Sequence, residues 1–270
     1  MITVSPIPAY TDNYIWLIEN SLGEAVVVDP GDANPVLATL SEKKLKLVAI
    51  IVTHHHWDHV DGIDDLRRFY DVPVYGPDSA RIPHVTNTVS EGDTVTLFSS
   101  SSSSSSPLQL QSLQLEVLSV PGHTYDHIAY RSNIDNQPVI FCGDTLFAAG
   151  CGRLFDGTHE QFCHSLQRIN QMPANTQIFC THEYTMANLA FAAAVEPANT
   201  AIKKRTKTER TKREQGQSTL PTNLALERET NPFLRYEQPH IAQSINQYWK
   251  TESTSPEDLF TGLRRWKDNF

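Results

Sequence analysis

The aliphatic run Leu47-Val48-Ala49-Ile50-Ile51-Val52 stops at Thr53-His54-His55-His56-Trp57-Asp58-His59. An apolar run of this length with no polar alternation reads as a strand covered on both faces. Such a strand needs a layer above and a layer below it, which points to an α/β fold. The same pattern recurs. Ala25–Val28, Leu115–Val120, Val139–Cys142 and 177–180 are short apolar runs, each closed by Gly, Pro, Asp or His. Helical patterns are expected near 35–44, 60–70 and 159–171. After residue 183 strand signals vanish, and Pro221, Asn231-Pro232, Pro239 and Pro256 punctuate what reads as helices. A domain boundary is therefore expected near 183, between a mixed α/β part (1–182) and a helical part (183–270).

Four of the chain's 11 histidines lie between 54 and 59. Their form is H-x-H-x-D-H: His54, His56, Asp58, His59. Imidazole and carboxylate are the donors of zinc, iron and manganese sites. In an extended segment, side chains two apart point the same way. His54 and His56 can thus converge on one ion while His55 points elsewhere, and Trp57 is not a ligand type. Asp58 and His59 lie where the chain turns into a helix and can reach a second point. His123 in VPGHTYDH, Asp144 in FCGDTLF and His182 in FCTHEY each follow an apolar run in the same way. Residues just past the carboxyl ends of strands gather along one sheet edge. Seven donors exceed one tetrahedral ion and suit two, with a shared carboxylate. His127 reads as a support for a ligand, and His84, His159, His164 and His240 lack the strand-end context.

Composition limits the alternatives. The 270 residues include 39% hydrophobic residues and four tryptophans, enough for a substantial core. No apolar run approaches the length of a membrane span. The N-terminus has no basic start before an apolar stretch, so no signal peptide is expected. Four cysteines without a CxxC pair suit a reduced, cytoplasmic setting. A net charge of −9 disfavours general binding to nucleic acid. Against that acidity, KKRTKTERTKRE at 203–214 is strongly basic. It reads either as a solvated helix face or as a cationic wall for an anionic ligand. Ser99 to Ser106 is a run of eight serines. It has nothing to bury and reads as a flexible loop between two strands. A monomer is expected.

THHHWDH, PGHT, FCGDTLF and THEYT together resemble the metallo-β-lactamase superfamily. TDNYIW, VVVDPGD, GCGRLFDG, NPFLR and the final RRWKDNF extend the resemblance to hydroxyacylglutathione hydrolases (glyoxalase II) over nearly the whole chain. The resemblance implies a four-layer αββα sandwich followed by a helical domain. It implies two divalent ions, zinc foremost: His54, His56 and His123 on one, Asp58, His59 and His182 on the other, and Asp144 bridging. Glutathione contacts would fall on Arg153, Tyr184, Arg264 and Lys267. GCGRLFDG has Arg153 and Phe155 where some members have Lys and Tyr, so one hydroxyl contact is lost. The implied reaction is hydrolysis of S-lactoylglutathione and related thioesters to glutathione and a 2-hydroxy acid, the second step of methylglyoxal breakdown. A water shared by the two ions, its pKa lowered from 15.7 toward about 7, is the expected nucleophile. Asp58 and Asp144 orient it. No G-x-S-x-G elbow offers a serine nucleophile. Competing readings are a one-iron persulfide dioxygenase, a nuclease and a non-catalytic metal module. The full donor set, the acidic charge and the open two-ion pattern weigh against each in turn.

Alternation along 54–56 yields a test. His55→Ala should retain far more metal than His54→Ala or His56→Ala, read by metal analysis of the purified, folded variants. Equal loss in all three would remove the alternation argument.

Overall fold

The computed structural model describes residues 1–82, 84–98 and 112–270. The serine run therefore lies outside the described residues. The chain packs as two compact units: residues 1–119 with 126–143, and residues 120–125 with 144–270.

The first unit opens with strands β1 (Ile2–Ala9), β2 (Asn13–Asn20) and β3 (Glu24–Val28) and helix α1 (Ala33–Lys43). Then come β4 (Lys46–Ile51), two short helices α2 (Trp57–Val60) and α3 (Ile63–Arg67), and the short strands β5 (Val74–Gly76) and β6 (Asn87–Thr88). These six strands form one sheet in chain order. β1, β2 and β3 are antiparallel neighbours, while β3 to β6 run parallel. The parallel part is buried: Val26, Val27, Val28, Ile50 and Ile51 are at most 1% exposed. α1 covers it with Val36 and Leu40. Asp32 caps this helix by accepting from Asn34 N, and Lys44 ends it in the left-handed region.

A second set of strands follows: β7 (Thr94–Leu97), β8 (Leu113–Ser119), β9 (Ile128–Ile134) and β10 (Gln137–Gly143). All are antiparallel to their neighbours. β8 and β10 flank β9, so their carboxyl ends and the start of β9 share one edge. That edge joins the end of β4 directly. Ile128 N donates to Thr53 O at 3.0 Å, and the buried Tyr130 hydroxyl donates to Val52 O at 2.9 Å.

Three differences from the sequence reading have physical causes. β1 carries Pro6 and Pro8, which dilute its alternation; it is an edge strand, where missing N–H groups are tolerated. The single helix expected over 60–70 is split at Gly62, whose Cβ would lie 2.5 Å from Pro30 O. β9 escaped notice because Arg131, Ser132 and Asn133 interrupt its apolar pattern.

The second unit begins with a minimal hairpin, β11 (Leu146–Phe147) and β12 (Gly150–Cys151). It continues with α4 (His159–Asn170), β13 (Gln177–Cys180), α5 (Thr185–Val195) and α6 (Thr200–Glu214). It closes with β14 (Thr222–Asn223), α7 (Leu224–Thr230), a 3-10 turn (Pro232–Leu234), α8 (Pro239–Trp249) and α9 (Pro256–Asp268). The boundary expected near 183 falls inside this unit, between β13 and α5. Strands do not vanish there entirely, since β14 pairs antiparallel with β13. α4 starts with a reciprocal capping box between Thr158 and Gln161. Phe260 of α9 packs against Phe162, Phe233 and Tyr236 with ring centroids 5.6–6.1 Å apart.

The basic helix α6 is only partly a solvated face. Ile202, Arg205 and Glu209 line one stripe and are buried. Arg205 Nη2 donates to Glu227 Oε1 at 2.6 Å and to Thr222 Oγ1, and Nη1 donates to Thr230 Oγ1. The other Glu227 oxygen accepts from Ala149 N at 2.7 Å and Asn231 Nδ2 at 3.0 Å. Glu227 is 0% exposed. Removing only the cation would strand a buried carboxylate. Arg205→Ala should therefore cost about 3–5 kcal/mol, read by urea denaturation. A cost under about 1 kcal/mol would mean that water reaches Glu227.

Candidate metal centre

The first unit gathers four of the seven expected donors beyond β4. His54 Nε2 lies 3.1 Å from His56 Nδ1, and His59 Nε2 lies 3.6 Å from Asp58 Oδ2. The His54 and His59 rings are 4.0 Å apart. Beneath them sits Asp29, at the end of β3, 2% exposed and with φ of 53°. Its Oδ1 accepts from Thr53 N, and its Oδ2 accepts from Thr53 Oγ1, both at 2.7 Å. The same Oδ2 lies 3.0 Å from His59 Nδ1.

These bonds fix which imidazole nitrogen carries the proton. The Asp29 carboxylate beside His59 Nδ1 favours a proton there by its charge, which leaves Nε2 its lone pair. Thr53 gives its hydroxyl proton to Asp29, so it must accept from His54 Nδ1, 3.1 Å away. His54 Nε2 is then a lone-pair donor too. Asp58 is held from the other side: Asn13 Nδ2 donates to Asp58 Oδ2 at 2.9 Å. Gly31 permits the close approach, since a Cβ there would lie 1.9 Å from Asp58 O.

The neighbouring side chains point away from the donors or support them. His55 turns to Asp126, 3.1 Å from Oδ1. Trp57 is 60% exposed and meets Tyr10 edge-on. His127, at the start of β9, stacks on His54 at 4.5 Å and donates Nδ1–H to Ile128 O. Gly143 has φ of 46°, and a Cβ there would lie 2.3 Å from Thr53 Oγ1 and 3.0 Å from His127.

The second unit gathers the other three. His123 Nε2 and His182 Nε2 lie 3.4 Å and 3.3 Å from the same oxygen, Asp144 Oδ2. His123 Nδ1 is 2.7 Å from Arg153 O. A carbonyl only accepts, so Nδ1 holds the proton and Nε2 presents a lone pair to a carboxylate oxygen. Two acceptors pointed at one another in a buried place call for a cation between them. Each of the seven side chains belongs to a group of three His/Asp donors able to hold a metal ion. Buried imidazoles whose second nitrogen is spoken for by a carboxylate or carbonyl are the donor chemistry of divalent metals.

The four expected glutathione contacts lie in the second unit. Tyr184 is 38% exposed and stacks on His182 at 4.7 Å, with Phe147 edge-on. The exposed Arg153 side chain places Nε 3.3 Å from Asp268 Oδ1. Phe155 is exposed and meets His123 edge-on at 5.1 Å. Lys267 Nζ lies 3.4 Å from Ala187 O and over the Phe191 ring. Burial first, then the Arg264 charge, lowers its pKa.

Arg264, the fourth of these residues, is held within the unit. It does not face solvent, being 4% exposed. Nη1 donates to Cys151 O and Gly152 O, and Nη2 to Asp268 Oδ1. Its guanidinium lies over the Phe233 ring. Two supporting acids, Asp29 and Asp268, were not singled out from sequence. Asp29 follows Val26-Val27-Val28 as Asp144 follows its own strand, so the same strand-end rule reaches it. Asp268 carries no such signal.

Residues 11–182 match the metallo-beta-lactamase superfamily, and residues 183–270 match the hydroxyacylglutathione hydrolase C-terminus. A hydroxyacylglutathione hydrolase of Photobacterium profundum is 47% identical, covering 100% of both chains. One from Nitrosomonas europaea is 45% identical over 100% of this chain and 97% of its own. A protein crystallised in a di-iron-bound form shares the fold with a TM-score of 0.58 at 25% identity, covering 85% of this chain and 100% of that one. The chain belongs to the hydroxyacylglutathione hydrolase family of the metallo-β-lactamase superfamily. Among the described residues, no helix is long and apolar enough to cross a membrane.

The Asp29 bonds carry a prediction. Asp29→Ala should weaken metal retention by about 10- to 100-fold, because it releases His59 Nδ1 directly and His54 Nδ1 through Thr53. Chelator competition on the folded variant checks it. Retention equal to wild type would show that Asp29 serves only the β3–β4 turn.

Proposed function

We propose that the chain hydrolyses S-(2-hydroxyacyl)glutathione thioesters, S-lactoylglutathione foremost, to glutathione and the 2-hydroxy acid, D-lactate for that substrate. The carrying observation is identity of 45–47% along the full chain to hydroxyacylglutathione hydrolases, combined with seven His/Asp donors grouped to suit metal ions. In this reading residues 1–182 are the catalytic domain, and residues 183–270 contribute to glutathione binding. His54, His56 and His123 would hold one ion and Asp58, His59 and His182 the other, with Asp144 as the carboxylate available to both. Zinc is the proposed metal, and the same donors accept iron or manganese. The protein works as a cytoplasmic monomer.

Bound divalent ions supply Lewis acidity and bring the pKa of water toward neutrality. The chain's own residues do the rest. Thr53 and Arg153 O keep the protons of His54 and His123 on Nδ1, and the Asp29 carboxylate draws that of His59 to Nδ1 by charge. Asp58, pinned by Asn13, is an acceptor that can orient the proton of an attacking water. The leaving thiolate comes from a thiol of pKa near 8.5, so no side chain is needed as a general acid. Glutathione carries two carboxylates. Arg153 and Lys267 offer cations to them, with Arg264 behind and the Tyr184 hydroxyl alongside. Phe155 adds apolar surface where a tyrosine would add a hydroxyl.

Metal analysis with a thioesterase assay tests the reading. Wild type should carry two ions per chain and cleave S-lactoylglutathione. Asp144→Asn should lose activity and metal affinity by about 100-fold or more, at or beyond the upper end seen for supporting residues, because a neutral amide bridges two cations poorly. Two ions retained with near-normal turnover would end the bridging role. Turnover of glutathione persulfide with oxygen, and none of the thioester, would overturn the hydrolase reading.

A further inference from the structure

The last turn of α9 grips three consecutive residues. Arg264 Nη1 donates to Cys151 O at 3.1 Å and to Gly152 O at 3.3 Å. Its Nη2 donates to Asp268 Oδ1 at 3.1 Å, and the same oxygen accepts from Arg153 Nε at 3.3 Å. The third residue of the set, Arg153, then accepts the Nδ1–H of His123 at 2.7 Å through its carbonyl. An unbroken line of hydrogen bonds thus runs from α9 to one imidazole.

We propose that Arg264 and Asp268 are positioning residues, which brace Cys151-Gly152-Arg153 and so hold His123 in the tautomer and orientation its chemistry needs. The proposal rests on His123 being a metal ligand, as in the function proposed above.

Three observations carry it. First, the braced segment has no slack. A Cβ on Gly152 would lie 2.0 Å from Asp144 O and 3.0 Å from His123 Nδ1. A shift of this segment would therefore displace both donors at once. Second, Asp268 is badly placed for its own helix. It is acidic at the carboxyl end, where the helix dipole disfavours negative charge. The Arg264–Asp268 pair also runs cation-first at i,i+4, the less favourable order. Helix stability does not account for this aspartate, and the shared contact to Arg153 does. Third, Arg264 is 4% exposed and spends its Nη atoms on two carbonyls and a carboxylate. A lysine could keep the charge, but a compact ammonium cannot reproduce that planar fork.

The last point separates a brace from a ligand clamp. Arg264→Lys should lose metal about tenfold more readily in chelator competition, as expected for a supporting residue, with a melting temperature near that of wild type. kcat should fall alike for a glutathione thioester and for a short thioester lacking glutathione. Asp268→Ala should lose metal similarly, and Asp268→Asn, which keeps an acceptor oxygen, should lose less. A direct readout avoids the metal. In metal-free protein, His123 Nδ1–H should give a slowly exchanging imidazole proton resonance in wild type and lose it in Arg264→Lys. Metal retention within twofold of wild type in both Arg264→Lys and Asp268→Ala would overturn the brace. So would a KM rise for the glutathione thioester alone. Wild type that binds no metal but shows the resonance change would instead sink the metallohydrolase reading and leave the brace standing.

Discussion

A single buried carboxylate, Asp29, decides how the first half of the donor set is presented. It accepts from Thr53 N and Oγ1 and faces His59 Nδ1. Through Thr53 it also sets the proton of His54. Histidine has no intrinsic preference strong enough to guarantee that Nε2 is the lone-pair nitrogen, so a fixed acceptor behind the ring must impose it. Asp29 can do so because β3 and β4 are parallel and end side by side, Asp29 N donating to Ile51 O. The parallel pair therefore does more than form core. It places an acid from one strand directly under imidazoles from the next.

This is why the histidine run stands out in the sequence. A strand buried on both faces has to be aliphatic, and its end has to be marked by a change of composition. His54 and His56 follow the strand by alternation, and His123, Asp144 and His182 follow other strands in the same way. The rule assumes that side chains arrive from carboxyl ends. It does not cover an antiparallel strand, which delivers from its start. His127 and Asp126 come from the beginning of β9 and reach His54 and His55 from there.

Charged residues on helices were harder to read, and for a physical reason. Periodicity finds the buried face of a helix only when that face is apolar. In α6 the buried stripe is Ile202, Arg205 and Glu209, so the pattern reads as basic solvent face throughout. In α9 the buried set Leu259, Phe260, Leu263 and Trp266 is legible, yet it includes Arg264. No local signal tells that arginine from Arg265 beside it, which is exposed. What distinguishes them is acceptors supplied by residues 151, 152 and 268.

The two buried guanidiniums have a common client. The β11–β12 hairpin has only two residues per strand, far too few to be stable on its ladder alone. Side chains supply what the ladder lacks. Arg205 holds Glu227, whose carboxylate accepts from Ala149 N and from Asn231 Nδ2. Asn231 in turn donates to Phe147 O and Gly150 O. Arg264 takes over at Cys151 O and Gly152 O. From Phe147 to Gly152, backbone groups are thus held by buried polar atoms from the helical part of the chain. Apolar packing could cover this hairpin, but it is non-directional and tolerates sliding. A network of charged hydrogen bonds is satisfied in one register only. The segment lies between Asp144 and Arg153 O, so its register sets where the Asp144 carboxylate and the acceptor of His123 stand. The helices after β13 therefore bear on Asp144 and His123 through geometry, without supplying any of the seven donors themselves.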